Sequence, residues 1–140
     1  MRYVLDASVA LKWVVPESHS DKALALRGDF RNGVHELLAP DILPGEVAHT
    51  LTKLERRGIV SVGDSQALLD DVLTTCPVMH PYLPHLDRAR EISSQTRSGF
   101  FDCLYVALAE SEGCELITAD SRLVQNLQRQ FSFLVDVATT

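Results

Sequence analysis

Apolar positions along the chain alternate between two periods. Residues 2–6, a short β-branched and aromatic run ending in Asp6, predict a buried strand. Residues 7–15 follow as a short helix that Pro16 ends. Residues 20–32 predict a second helix, with Ala23, Leu24, Leu26 and Phe30 as its apolar set and Gly33 as its stop. A strand at 36–40 closes at Pro40. The helix expected at 41–57 is capped by Asp41, carries Pro44 in its first turns and has Gly58 just past its end. Residues 62–75 form another helix, with Leu68, Leu69 and Val72 inward; 77–80 is a strand, and 86–97 a helix ending near Gly99. Residues 100–112 are apolar nearly all round, so this helix is predicted to be central and buried. After Gly113 come a strand at 114–119, a surface helix at 121–130 and a last strand at 131–137.

Strands separated by helices imply βαβ crossovers and a mostly parallel sheet. The fold class is α/β, a three-layer α/β/α sandwich. No repeat, linker or low-complexity tract divides the chain, so 1–140 reads as one domain. With 46% hydrophobic and 23% charged residues, the chain is not disordered, collagen-like or a coiled coil. No apolar run reaches the ~18–20 residues that span a bilayer. Asp6 interrupts the apolar N-terminal stretch, so no signal peptide is expected. The odd cysteine count (Cys76, Cys103, Cys114), without a CxxC pair, argues against a disulfide frame or zinc site and fits a reducing cytoplasm.

A net charge of −6 argues against a simple basic phosphate-binding surface. It leaves room for a nucleic-acid enzyme whose carboxylates bind a cation. Four acids stand out. Asp6 ends the first strand and Asp120 follows the strand at 114–119, so both should lie on the carboxyl rim of the sheet, where open parallel sheets bind ligands. Glu46 and Asp102 lie in the first turns of helices that begin near the same rim. Singly, each acid has an ordinary explanation, as a helix cap or as a partner of the helix dipole. Together, they would repel one another unless a cation sat among them. An all-oxygen set without Cys or His suits Mg²⁺ or Mn²⁺. Ser8 and Thr118, two residues from Asp6 and Asp120, are placed to orient the carboxylates or a bound water, or are ordinary local hydroxyls.

At these residues the sequence resembles a known family. VLDASVALKW, PDILPGEVAHTL, FFDCLYVALAE and LITADSRL are similar to the four ordered motifs of the PIN-domain nucleases, and most of all to VapC-type toxins of bacterial toxin–antitoxin pairs. The resemblance runs from about Tyr3 to Val137. It implies that Asp6, Glu46, Asp102 and Asp120 are the acidic metal-binding set, with Asp6 and Asp102 as direct ligands. It further implies a Mg²⁺-dependent endoribonuclease, a small cognate antitoxin, a homodimer and no membrane. Such a site hydrolyses a phosphodiester with a metal-activated water. Because no histidine is needed, 5′-phosphate products are expected.

For RNA contact, the helix at 41–57 places Val47, Leu51 and Leu54 toward the core, and Glu46, His49, Thr50, Lys53 and Arg57 on another face. His49, Lys53 and Arg57 are therefore candidate RNA contacts, or simply a solvated face with basic residues near the helix end. Arg88, Arg90 and Arg97 form a second basic group. Trp13 is expected in the core, or else at a partner surface. The five histidines show no metal spacing. A phosphotransfer receiver is disfavoured, since Asp6 has no adjacent acid and the last lysine is Lys53. A junction-cleaving relative would need a long insertion that the chain lacks. A non-catalytic PIN-like module that binds RNA or protein is the remaining alternative.

Overall fold

Five parallel strands carry the architecture, seen in a computed structural model that describes all 140 residues. They are β1 (Arg2–Leu5), β2 (Glu36–Pro40), β3 (Val78–His80), β4 (Glu115–Thr118) and β5 (Leu134–Asp136), in the order β3-β2-β1-β4-β5. The register pairs Val4 with Leu38 on one side and with Leu116 on the other. Val4 and Leu5 are both fully buried, so β1 is covered on both faces as a central parallel strand should be.

Helices α1 (Ala7–Leu11), α2 (Ser20–Arg31), α3 (Leu43–Arg56) and α4 (Ser65–Leu73) belong to the crossovers that run from β1 to β3. Helices α5 (Leu86–Thr96), α6 (Phe100–Glu112) and α7 (Ser121–Leu127) belong to the crossovers that return through β4 to β5. The right-handed rule places these two sets on opposite faces, which gives the three layers expected from the sequence. The chain reverses its direction of travel across the sheet between β1 and β4, so a crevice opens at the carboxyl ends of these two strands.

Residues 103–109 of α6 are all buried, and their apolar character on every side of the helix is the cause. This helix packs on β1, β2 and β4 and against α5. On α3, Val47 and Leu51 are buried and Leu54 packs partly against the core, as the wheel predicts. Trp13 is buried: its indole N–H donates to the Ala23 carbonyl at 2.9 Å, and the Arg27 guanidinium sits 4.8 Å from its ring centre. That settles Trp13 as a core residue. All three cysteines are free.

Several boundaries differ from the sequence expectation. Asp41 does not cap α3; its Oδ1 accepts from the Tyr82 amide at 3.1 Å and ties the turn after β3 to the end of β2. The helix at 62–75 is regular only over α4, and the strand expected at 131–137 shortens to three residues. Arg97, not Gly99, ends α5, in the left-handed conformation at φ 63°. No helix is long and apolar enough to cross a membrane.

Candidate active site

Asp6 leaves β1 directly into α1. Its amide donates to the Ile117 carbonyl at 3.0 Å, which locks it beside β4. The carboxylate makes no side-chain cap to α1, contrary to its simplest local explanation. Oδ2 accepts instead from Ser8 Oγ at 2.5 Å and from Thr118 Oγ1 at 2.8 Å. Each hydroxyl in turn accepts a backbone amide: Ala119 N–H reaches Ser8 Oγ at 3.0 Å, and Asp120 N–H reaches Thr118 Oγ1 at 3.0 Å. The amides fix the hydroxyl orientation, so both hydroxyl protons point at Asp6. Neither hydroxyl uses Oδ1. Burial pushes the Asp6 carboxyl up, the two hydroxyls oppose that rise, and the nearby Asp120 charge adds to it.

Glu46 projects from the first turn of α3. Burial pushes its carboxyl up to about 7, with Asp6 and Asp102 adding repulsion and Tyr105 opposing. Tyr105, one turn past Asp102 on α6, donates its hydroxyl to Glu46 Oε1 at 2.6 Å. Burial, then the charges of Asp6 and Glu46, push the Tyr105 phenol up, so it remains the proton donor of this pair. Asp102 opens α6. Burial, then Asp6 and Asp120, raise its carboxyl to about 6. Gly99 makes room for it: a Cβ at position 99 would stand 3.3 Å from Asp102 Oδ2. Asp120 uses Oδ1 to cap α7, accepting from the Arg122 and Leu123 amides at 3.0 and 3.2 Å. The cap and a site role coexist there, because Oδ2 is spared.

The fold thus brings the four predicted acids into one crevice, close enough that their charges raise one another's proton affinity. None makes an ion pair with a basic side chain. No three His, Cys, Asp or Glu side chains close into a tight cage. Beside Glu46, a cleft of about 510 Å³ is lined by Ile42, Gly45, His49, Thr50 and Phe101 as well. Lys53, farther along the same helix, and Arg57, just past its end, are exposed and make no ion pair. In the second basic group, Arg88 is held by Glu91 and Glu110 and Arg90 by Asp87, which leaves only Arg97 free of a carboxylate. Tyr105, Gly99 and Phe101 were not foreseen as site residues. The i+3 spacing of Tyr105 from Asp102, and a hydroxyl on an otherwise apolar helix, are the signal that marks it.

The PIN domain profile matches residues 3–126. The chain belongs to the PIN domain family. This PIN domain is 33% identical to ribonuclease VapC1 of Mycobacterium tuberculosis over 127 residues, covering 86% of each chain. It is 30% identical to ribonuclease VapC3 of Pyrobaculum aerophilum over 127 residues, covering 89% of this chain and 94% of the other. Among solved structures, it is similar to the protein PAE2754 of Pyrobaculum aerophilum, with a TM-score of 0.71, 26% identity, and coverage of 99% and 94%. It also shares its fold with VapBC2 of Rickettsia felis bound to a promoter DNA fragment, at a TM-score of 0.65, 17% identity and 97% coverage of each chain. The acids at issue lie inside the matched span of this PIN domain, at its amino end, middle and carboxyl end.

Proposed function

We propose that this PIN domain is a metal-dependent endoribonuclease, the toxin of a toxin–antitoxin pair, acting in the cytoplasm. The observation that carries the reading is a crevice of four carboxylates that no basic side chain neutralises. A hard divalent cation relieves their repulsion, and the all-oxygen donor set fits Mg²⁺, with Mn²⁺ as a substitute. We assign Asp6 and Asp102 as direct ligands, and Glu46 and Asp120 as residues that complete the site or hold the waters. When bound, the cation supplies a more acidic water and polarises the phosphoryl oxygen.

The chain's own groups do the rest. Ser8 and Thr118 hold the Asp6 carboxylate through Oδ2. Tyr105 fixes the Glu46 carboxyl beside the crevice, where it is placed to take a proton from the attacking water. His49, Lys53 and Arg57 offer contacts to RNA along α3. Similarity to relatives named VapC ribonucleases supports RNA as the substrate; a small antitoxin protein as the partner and a homodimer as the assembly are what the family resemblance implies.

The test is cleavage of total bacterial RNA by purified protein with Mg²⁺, with EDTA, and by Asp6→Asn with Mg²⁺. Discrete fragments from the wild type with Mg²⁺ alone are expected, and their termini identify the target. The same fragments in all three reactions would overturn the site assignment. No cleavage by antitoxin-free protein would favour a module that binds without cutting.

A further inference from the structure

Phe101 is 56% exposed although it sits in the first turn of the most deeply buried helix of the molecule. Its neighbour Phe100 packs partly against the core and meets the Phe101 ring edge-on at a centroid distance of 5.3 Å, which holds the outer ring in place. Phe101 immediately precedes Asp102, and across the cleft stand Glu46, His49 and the backbone of Gly45. The cleft of about 510 Å³ falls in the ~300–1,000 Å³ range of small-molecule sites and has room for one base. Glu46 lines both the cleft and the carboxylate crevice, so the two are continuous. Farther along α3 and just past its end, Lys53, Arg56 and Arg57 are exposed and make no ion pair, which suits a polyanion leaving the cleft in that direction.

We propose that Phe101 and His49 form a nucleobase subsite, in which one unpaired base flanking the scissile phosphate stacks on the Phe101 ring and is contacted at its edge by His49. This inference rests on the endoribonuclease reading and names what that site holds beside the phosphate. An aromatic ring offers a face to any base, so the subsite selects for an unstacked, single-stranded nucleotide more than for one sequence. A base docked there fixes the register of the backbone over the four acids. Phe101 is thus a substrate-positioning residue.

The experiment measures binding of a short single-stranded oligoribonucleotide by fluorescence anisotropy with Ca²⁺ in place of Mg²⁺. The protein is wild type, Phe101→Ala, Phe101→Tyr or His49→Ala, and each is compared on a second oligonucleotide series with one abasic position moved along the chain. Phe101→Ala is expected to weaken binding about 5- to 100-fold, with Phe101→Tyr close to wild type. One abasic position should reproduce that loss in the wild type, and Phe101→Ala should lose nothing further on it. Equal affinity of wild type and Phe101→Ala would overturn the proposal. So would a Phe101→Ala loss that persists on every abasic strand, or no RNA binding by the wild type. Loss of antitoxin binding with RNA affinity intact would overturn it too, making the cleft a protein-docking surface. Base-dependent binding without Mg²⁺-dependent cleavage would refute the nuclease reading and leave the subsite standing. Cleavage with unchanged kcat/KM in Phe101→Ala would do the reverse.

Discussion

Glu46→Gln should make the metal-free protein more stable while removing its activity. The Glu46 carboxyl rises from 4.5 to about 7 in the folded chain, mainly through burial, with repulsion from Asp6 and Asp102. A carboxyl that holds its proton more tightly when folded destabilises the fold as pH rises. The loss begins near the unfolded value of ~4.3 and is complete above the folded value; ~1.36 kcal/mol per pH unit gives about 3.5 kcal/mol, and solvent screening of this partly exposed carboxyl brings it to roughly 3 kcal/mol. Glutamine keeps the shape and an acceptor for the Tyr105 hydroxyl but carries no charge. At ~3 °C per kcal/mol for a chain of this size, the variant should melt up to ~10 °C above wild type at about pH 8 in EDTA. The gap should shrink toward zero near about pH 4.5, where both side chains are neutral. Saturating Mg²⁺ should narrow it again at high pH, because the cation stabilises the wild type more. Calorimetric melts across that pH range, with and without Mg²⁺, read all three effects. Equal melting temperatures at both ends, or a gap that grows as pH falls, would refute the claim that charge on Glu46 opposes the fold.

Four other outcomes follow from single contacts. Thr118→Val removes a buried donor to Asp6 Oδ2 and should weaken Mg²⁺ binding by about 10- to 100-fold in a calorimetric titration. Tyr105→Phe deletes a hydrogen bond that favours the charged Glu46 carboxylate, so the acid limb of the pH–rate profile should move to higher pH. Gly99→Ala crowds the Asp102 carboxylate and should lower kcat with little change in melting temperature, whereas a purely structural glycine would give the opposite pattern. Leu104→Ala leaves a cavity in the fully buried face of α6 and should cost ~2–5 kcal/mol in denaturant titrations.

Much of this was legible in the sequence, for physical reasons. The strand runs are short and β-branched, and α6 is apolar on every side, so the layering follows from periodicity and length. Asp6 and Asp120 stood out because acids at the ends of buried strands need a reason to be there. Sequence position alone left Asp6 and Asp120 looking alike. The structure separates them: Asp120 does cap its helix, and Asp6 caps nothing. Tyr105 was hidden by the same pattern that revealed α6, since a tyrosine among buried residues reads as packing until its hydroxyl is seen to reach another helix. Phe101 was hidden in the converse way, because an all-round apolar helix predicts burial for every position. Asp41 misled because its side chain found a longer-range donor than the local cap. Arg97 took a left-handed backbone that composition assigns to the following glycine.

The central strand has one further consequence, for timing. The first strand of the chain is the middle strand of the sheet, and its second edge stays bare until residues 115–118 arrive to pair with it. The hydroxyl that steadies Asp6 from that side, and the last acid, come with the same late segment. Such long-range pairing is slow to form because a large loop must close first. A growing polypeptide therefore carries Asp6, Glu46 and Asp102 without an assembled crevice until residues 115–120 have emerged. A copy interrupted before the fourth strand would lack both the Thr118 hydroxyl and Asp120, so its remaining acids would stay unassembled.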